Sequence, residues 1–244
     1  MFGTLSAVYE RYGCTAEMFA NLEQAVTIAR ESNDRIGEGF GILHVAMVHQ
    51  MRGDLRAAEE QYLRALNRGV SAGDPLLISY ARTYLAVLRQ LRGEHARAAE
   101  ELQAALEHSQ NIGNEINEAT ALIHLGISCR ASGRLDLALD HLHQAHALAR
   151  KVTDADLEAK SLNELGTCLH GTEPQQAIVH HEQALAITLT SGNLLERARA
   201  HQGLAHCHAV LGNLDANEQH HRMTINLRSR LSMVPNSPRT PDEL

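Results

Sequence analysis

Aromatic side chains are scarce in this chain: they make up 3% of its 244 residues, and tryptophan is absent. Any core must therefore be aliphatic and alanine-rich, which disfavours the β-sandwiches and barrels that draw on aromatic and β-branched strands. Proline is sparse as well, with five copies, three of them in the last ten residues. Positive charge is in deficit. Lys and Arg number 22 against 29 Asp and Glu, a formal net charge of −7, and that argues against wrapping nucleic acid, whose phosphates need a basic surface. No apolar run approaches the ~18 residues of a membrane span. The opening MFGTLSAVYERYG lacks the basic region and long apolar stretch of a signal peptide. The four cysteines, Cys14, Cys129, Cys168 and Cys207, form no C-x-x-C pair. They read as reduced, small core residues of a cytoplasmic protein rather than as a disulfide or metal framework. What the chain does have is 44% hydrophobic residues, enough for a core, and a composition outside the collagen-like and disordered classes.

It also has a period. One turn signal recurs at Gly53-Asp54-Leu55, Gly93-Glu94-His95, Gly133-Arg134-Leu135 and Gly212-Asn213-Leu214, in steps of 40, 40 and 79 residues. The missing copy falls at Gly171-Thr172-Glu173-Pro174, one residue short. A second signal interleaves with it, ending at Asp34, Asp74, Asn114, Asp154 and Asn193, in steps of 40, 40, 40 and 39. Two ladders with one period indicate tandem duplication. Between the turns the apolar residues keep helical spacing: Leu122, Leu125 and Cys129, then Leu135, Ala138, Leu142, Ala145 and Leu148. Asp and Asn at the second turn suit helix N-caps, and Pro75 suits a first helical position. Each repeat is thus expected to be a helix–turn–helix pair.

Within the pair, the first helix carries an apolar residue followed by a small one: Val45-Ala46, Leu85-Ala86, Leu125-Gly126, Leu165-Gly166 and Leu204-Ala205. The second carries Ala58, Ala98, Ala138 and Ala177, and later Ala65, Ala105, Ala145 and Ala184, with Tyr62, Leu102 and Leu142 between them. Small residues let helices approach closely, and the large one fills the groove left between them. This pattern resembles the tetratricopeptide repeat (TPR), although the period of 40 exceeds the ~34 of the standard repeat; HEAT repeats share the period without the pattern. The resemblance implies an all-α fold, a right-handed α-solenoid of TPR hairpins. It covers residues 1–231, with a half repeat at 1–33, repeats at 34–73, 74–113, 114–153 and 154–192, and a capping repeat at 193–231. In that last repeat the polar Asn217, His221 and Thr224 replace the Ala, large and Ala positions. Residues 232–244 read as a disordered, Pro-rich tail. The opening half repeat leaves Leu5, Val8 and Tyr9 as an apolar edge, an expected homodimer contact.

The segments EAKSLNELGTCLHG (158–171), QQAIVHHEQALAI (175–187) and ERARAHQGLAHCHAVLGNLDANEQHHRMTINL (196–227) are similar to the C-terminal TPR region of SARP-type antibiotic regulators. That resemblance implies a sensing or protein-interaction domain of a transcriptional regulator. No G-x-x-x-x-G-K-[ST] loop and no basic helix-turn-helix accompany it here, so the array itself is not expected to bind nucleic acid. The alternative is a stand-alone TPR protein that binds or processes a small molecule in a biosynthetic pathway.

In a TPR solenoid the first helices line the concave face. The equivalent outward positions are Phe40, Leu43, Met47 and Gln50, then Tyr80, Thr83, Val87 and Gln90. They continue as Ile123, Ile127 and Arg130, then Lys160, Asn163, Thr167 and His170, and end at Arg199, Gln202 and His206. The first half of this column is apolar and the second polar. An elongated peptide, protein segment or acyl-bearing effector is expected there, its apolar end on Phe40, Met47, Tyr80 and Ile127 and an anionic end on Lys160 and Arg199.

Sixteen histidines stand out. No H-E-x-x-H occurs, His143 and His146 are the one clean i, i+3 pair, and His141, His180 and His220 are equivalent positions of successive repeats, so no metal site and no cofactor is expected. Several half-buried histidines would make the array sensitive to acid. No nucleophile with an adjacent base is found, and the chain is expected not to be an enzyme. Were the groove to carry chemistry, His170, Asn163 and His206 would be its candidates.

Overall fold

The structure is a computed structural model, and it describes residues 16–233. Eleven α-helices and no strand occur among the described residues. They are α1 (Ala16–Glu31), α2 (Arg35–Met51), α3 (Leu55–Ala72), α4 (Pro75–Leu91), α5 (His95–Asn111), α6 (Glu115–Ala131), α7 (Leu135–Lys151), α8 (Ala155–Leu169), α9 (Pro174–Ser191), α10 (Leu194–Val210) and α11 (Leu214–Met233). The edge expected at Leu5, Val8 and Tyr9 lies outside these residues, as does nearly all of the Pro-rich tail. Helix α11 continues two residues past the expected end of the array at 231.

Both ladders are turn chemistry. At the second turn, Asp34, Asp74, Asn114, Asp154 and Asn193 each accept a backbone N–H of the following helix, from Gly37, Leu77, Asn117, Leu157 and Glu196. These are the N-caps expected, and Pro75 occupies the first turn of α4. At the first turn, Gly53, Gly93, Gly133 and Gly212 take φ values of 74° to 80°, the left-handed region in which glycine costs nothing. The short copy at Gly171 does without one: Thr172 and Glu173 donate to the Leu169 carbonyl, and Pro174 starts α9.

Between the turns, consecutive helices pack as hairpins, α2 with α3, α4 with α5, α8 with α9 and α10 with α11. First helices of successive hairpins also touch, α2 with α4 and α8 with α10. The spine of each second helix is the expected small–large–small row. Ala58, Tyr62 and Ala65, then Ala98, Leu102 and Ala105, then Ala138, Leu142 and Ala145 are all fully buried. The glycine opposite has a steric reason: a Cβ on Gly126 would lie 2.6 Å from Leu142 Cγ. The described residues divide into two compact units, 16–121 and 122–233, with the division inside α6.

Candidate functional site

In the first unit, the residues expected to line a groove are mostly committed to packing. Phe40, Leu43, Tyr80, Thr83, Val87 and Gln90 are buried, and Met47 and Gln50 are half-buried. Thr83 Oγ1 accepts from Asn117 Nδ2 at 2.9 Å and donates to the Ser79 carbonyl at 3.1 Å. Gln50 Oε1 accepts from the Tyr62 hydroxyl at 2.8 Å, and the Tyr80 hydroxyl donates to Asn114 Oδ1 at 3.4 Å. The apolar patch expected over Phe40, Met47, Tyr80 and Ile127 is therefore corrected: only Met47 and Ile127 keep part of their surface. The physical reason is that α2 and α4 each pack on two sides, against their own partner helix and against the second helix of the preceding hairpin, and also touch each other. An apolar residue on either side is consumed by the array itself.

In the second unit, Ile123 and Asn163 are buried; Ile127, Arg130, Lys160, Thr167, His170 and Arg199 are half-buried; Gln202 and His206 are exposed. Here the expected polar residues do come together. Glu164 of α8 lies between Arg130 of α6 at 3.4 Å and Arg199 of α10 at 4.0 Å. Arg199 also pairs with Glu196 at 3.0 Å. Lys160 Nζ sits 3.3 Å from His124 Nε2. Burial, with Lys160 and Arg199 adding to it, holds the His124 pKa well below its ordinary value, so this imidazole meets the lysine as a neutral acceptor. Gln202 accepts from Arg228 at 2.9 Å. Arg130 and Arg199 thus share Glu164, Arg199 also holds Glu196, and Lys160 stands beside the neutral His124.

Behind it lies a buried chain of polar side chains that the sequence reading did not assemble. His181 of α9 occupies the large position that Tyr62, Leu102 and Leu142 fill in earlier repeats, and it is 1% exposed. Its Nε2 is 2.8 Å from His170 Nε2, and its Nδ1 is 3.1 Å from Asn163 Oδ1. Asn163 Nδ2 donates to both the carbonyl and the Oε2 of Glu196 at 2.9 Å. The His170 ring stacks on that of His206 with centroids 4.6 Å apart. His170, Asn163 and His206, named together from sequence, are thus brought to one place, with His181 as the missing link. The signal for it was the repeat register. The residue of the first helix that bonds the large position is Gln50 for Tyr62, and the equivalent residue for His181 is His170. Desolvation lowers the pKa of His181 to about 3 and that of His170 to about 4, with neighbouring histidines adding to both. The i, i+3 pair does not converge: His143 is exposed, and His146 turns to Ser161 Oγ at 3.3 Å. Cys129, Cys168 and Cys207 are buried free thiols, as expected. Burial pushes Cys168 and Cys207 up to about 11. Among the described residues no helix is long and apolar enough to cross a membrane.

The tetratricopeptide-repeat family model matches residues 78–151 and 117–190. No curated protein matches the sequence. Solved structures share the fold. BtubC (BKLC) from P. vanneervenii superposes with a TM-score of 0.67 at 23% identity, covering 93% of this chain and 96% of that one. A Rap protein complexed with competence and sporulation factor gives 0.64 at 14% identity, covering 88% of this chain and 71% of that one. A Podosopora anserina protein with nearly identical TPR-like repeats gives 0.54 at 17% identity, covering 78% and 94%. Hairpins, turn ladders and the family match agree: residues 78–190 are tetratricopeptide repeats, set in an all-α array of helical hairpins of the same kind.

Proposed function

We propose that this chain is a non-catalytic, cytoplasmic binding module that takes a peptide or protein segment through an anionic group. The observation that supports the reading is that three successive first helices bring cations together, Arg130 and Arg199 on Glu164 and Lys160 beside the neutral His124. The Arg130 and Arg199 side chains are each 34% exposed while the Glu164 carboxylate is 13% exposed, so the guanidinium groups are the accessible side of these pairs. A ligand carboxylate or phosphate can therefore add to the exposed side of a guanidinium, a charge-assisted contact that arginine's planar fork favours. A structural neighbour, the Rap protein, was solved with competence and sporulation factor, which supports the same use of such hairpins here. The similarity of residues 158–171, 175–187 and 196–227 to SARP-type regulators further supports a role as the sensing and interaction domain of a transcriptional regulator. Fluorescently labelled peptides with free and amidated C-termini test the reading. Binders should prefer the free carboxylate, and Lys160→Glu should weaken them at least tenfold while Met47→Asp has a smaller effect. Equal affinity for both peptide forms, unchanged in Lys160→Glu, would remove the anionic anchor.

A further inference from the structure

We propose that His170, His181 and Cys207 form a binding site for a divalent cation of borderline softness, best suited to Zn2+. Their ligand atoms lie within 4.8 Å of one another, with the two imidazole Nε2 atoms 2.8 Å apart. Zn–N and Zn–S distances of about 2.1 and 2.3 Å at the tetrahedral angle require about 3.4 Å between nitrogens and about 3.6 Å between nitrogen and sulfur. Small rotations of side chains already in place reach those values. Two imidazoles and a thiolate are a donor set that zinc favours.

The orientation of His181 is already that of a ligand. Asn163 Nδ2 donates to two acceptors of Glu196, so its Oδ1 must be the atom facing His181. That oxygen can only accept. His181 therefore carries its proton on Nδ1 and directs the Nε2 lone pair at His170, the arrangement in which an outer hydrogen bond fixes a metal-binding tautomer. In the metal-free chain His170 fills the role of the ion by donating its Nε2 proton. On binding, His170 moves that proton to Nδ1, Cys207 releases its thiol proton to solvent, and three bonds to the metal form. Water takes the fourth position.

The cradle is specific to this hairpin. A Cβ on Gly166 would lie 2.5 Å from His181 Nε2, and one on Gly203 would lie 2.2 Å from it. The positions equivalent to Gly203 carry His44, Tyr84, His124 and Glu164 in the other repeats. Only here is that side chain removed, and only here is a histidine the buried residue it makes room for. Packing alone would be served by leucine, as at Leu102 and Leu142. Cys207 completes the set from an apolar floor of Leu169 and Ala177. Arg130, which acts electrostatically on His170, is paired with Glu164 at 3.4 Å.

The test uses the chain stripped with chelator and titrated with Co2+ and then Zn2+. One Co2+ per chain should give thiolate-to-cobalt charge-transfer absorption with intense tetrahedral d–d bands, and Zn2+ should bleach both. Cys207→Ser should abolish the charge transfer while the circular dichroism spectrum is kept. His181→Leu restores the leucine of earlier repeats, so it should fold and yet lose at least 100-fold in zinc affinity measured against a chromophoric chelator. Asn163→Ala, which removes the positioning bond, should lose about 10- to 100-fold. Absence of the charge-transfer band in the unaltered chain would overturn the proposal. So would its persistence in Cys207→Ser, or zinc affinity unchanged in His181→Leu.

Discussion

Gly166 and Gly203 face one imidazole from two helices, and each leaves too little room for a methyl group beside it. Gly203→Ala must push the His181 ring off Asn163 or part α9 from α10. The expected loss is about 1–3 kcal/mol, read as a lower denaturation midpoint, whereas Gly171→Ala, with nothing within 4 Å of its Cβ, should change little. Thr153 offers the opposite experiment. It is a β-branched residue at φ 56°, in the turn position that Gly73, Gly113 and Gly192 hold elsewhere. Thr153→Gly should stabilise the chain by about 1 kcal/mol, seen as a higher melting temperature. At this scale the sequence was only half legible. The small residues of the first helix were readable as close-approach positions. That His181 fills the pocket between two of them was not, because its partners lie on other helices, Asn163 and His170 on α8 and its C-terminal end and Cys207 on α10.

The helices depend on their caps unequally. Asp34, Asp74 and Asp154 bond the next helix's N–H groups through their side chains, while Glu94, Arg134 and Glu173 stand at N-caps without any such bond. Replacing each of the first three by Ala should cost about 1 kcal/mol, and replacing each of the second three should cost nearly nothing; urea midpoints of the six variants separate the two groups. This contrast follows from side-chain length and charge, which is why the Asp/Asn ladder could be read as caps directly. The groove column was less readable. Helical spacing gives the angle of a residue around its own axis, and on it Leu43, Val87 and Ile123 read as outward positions of their helices. It does not say whether solvent or another helix lies opposite, and all three turned out buried.

For the chain as a whole, the buried histidines set a response to acid. His44, His201 and His181 are neutral when folded because desolvation lowers them to about 4, 4 and 3, against an ordinary value of 6.5. The unfolded chain takes up protons that the folded chain refuses. Their contribution is therefore complete above pH 6.5 and is lost as pH falls from there toward about 4. At pH 5.5 each should remove about 1 kcal/mol. Urea unfolding in the presence of chelator should show a clear loss between pH 8 and pH 5.5, and His44→Leu should flatten part of it. The direction was legible from the histidine count; which histidines act was not, since His143 and His206 are exposed and His44 is not.

The sequence by itself determined the repeat, the hairpin and the turns. Each of these is written in residues a few places apart: a cap and the N–H three residues on, a glycine at a left-handed turn, an apolar stripe at helical spacing. The tertiary structure decided which face of each first helix meets solvent and which polar residues converge. Those outcomes rest on contacts between residues of neighbouring repeats, such as Asn163 with Glu196 and Gly203 with His181, and no local pattern encodes a neighbour that only stacking supplies.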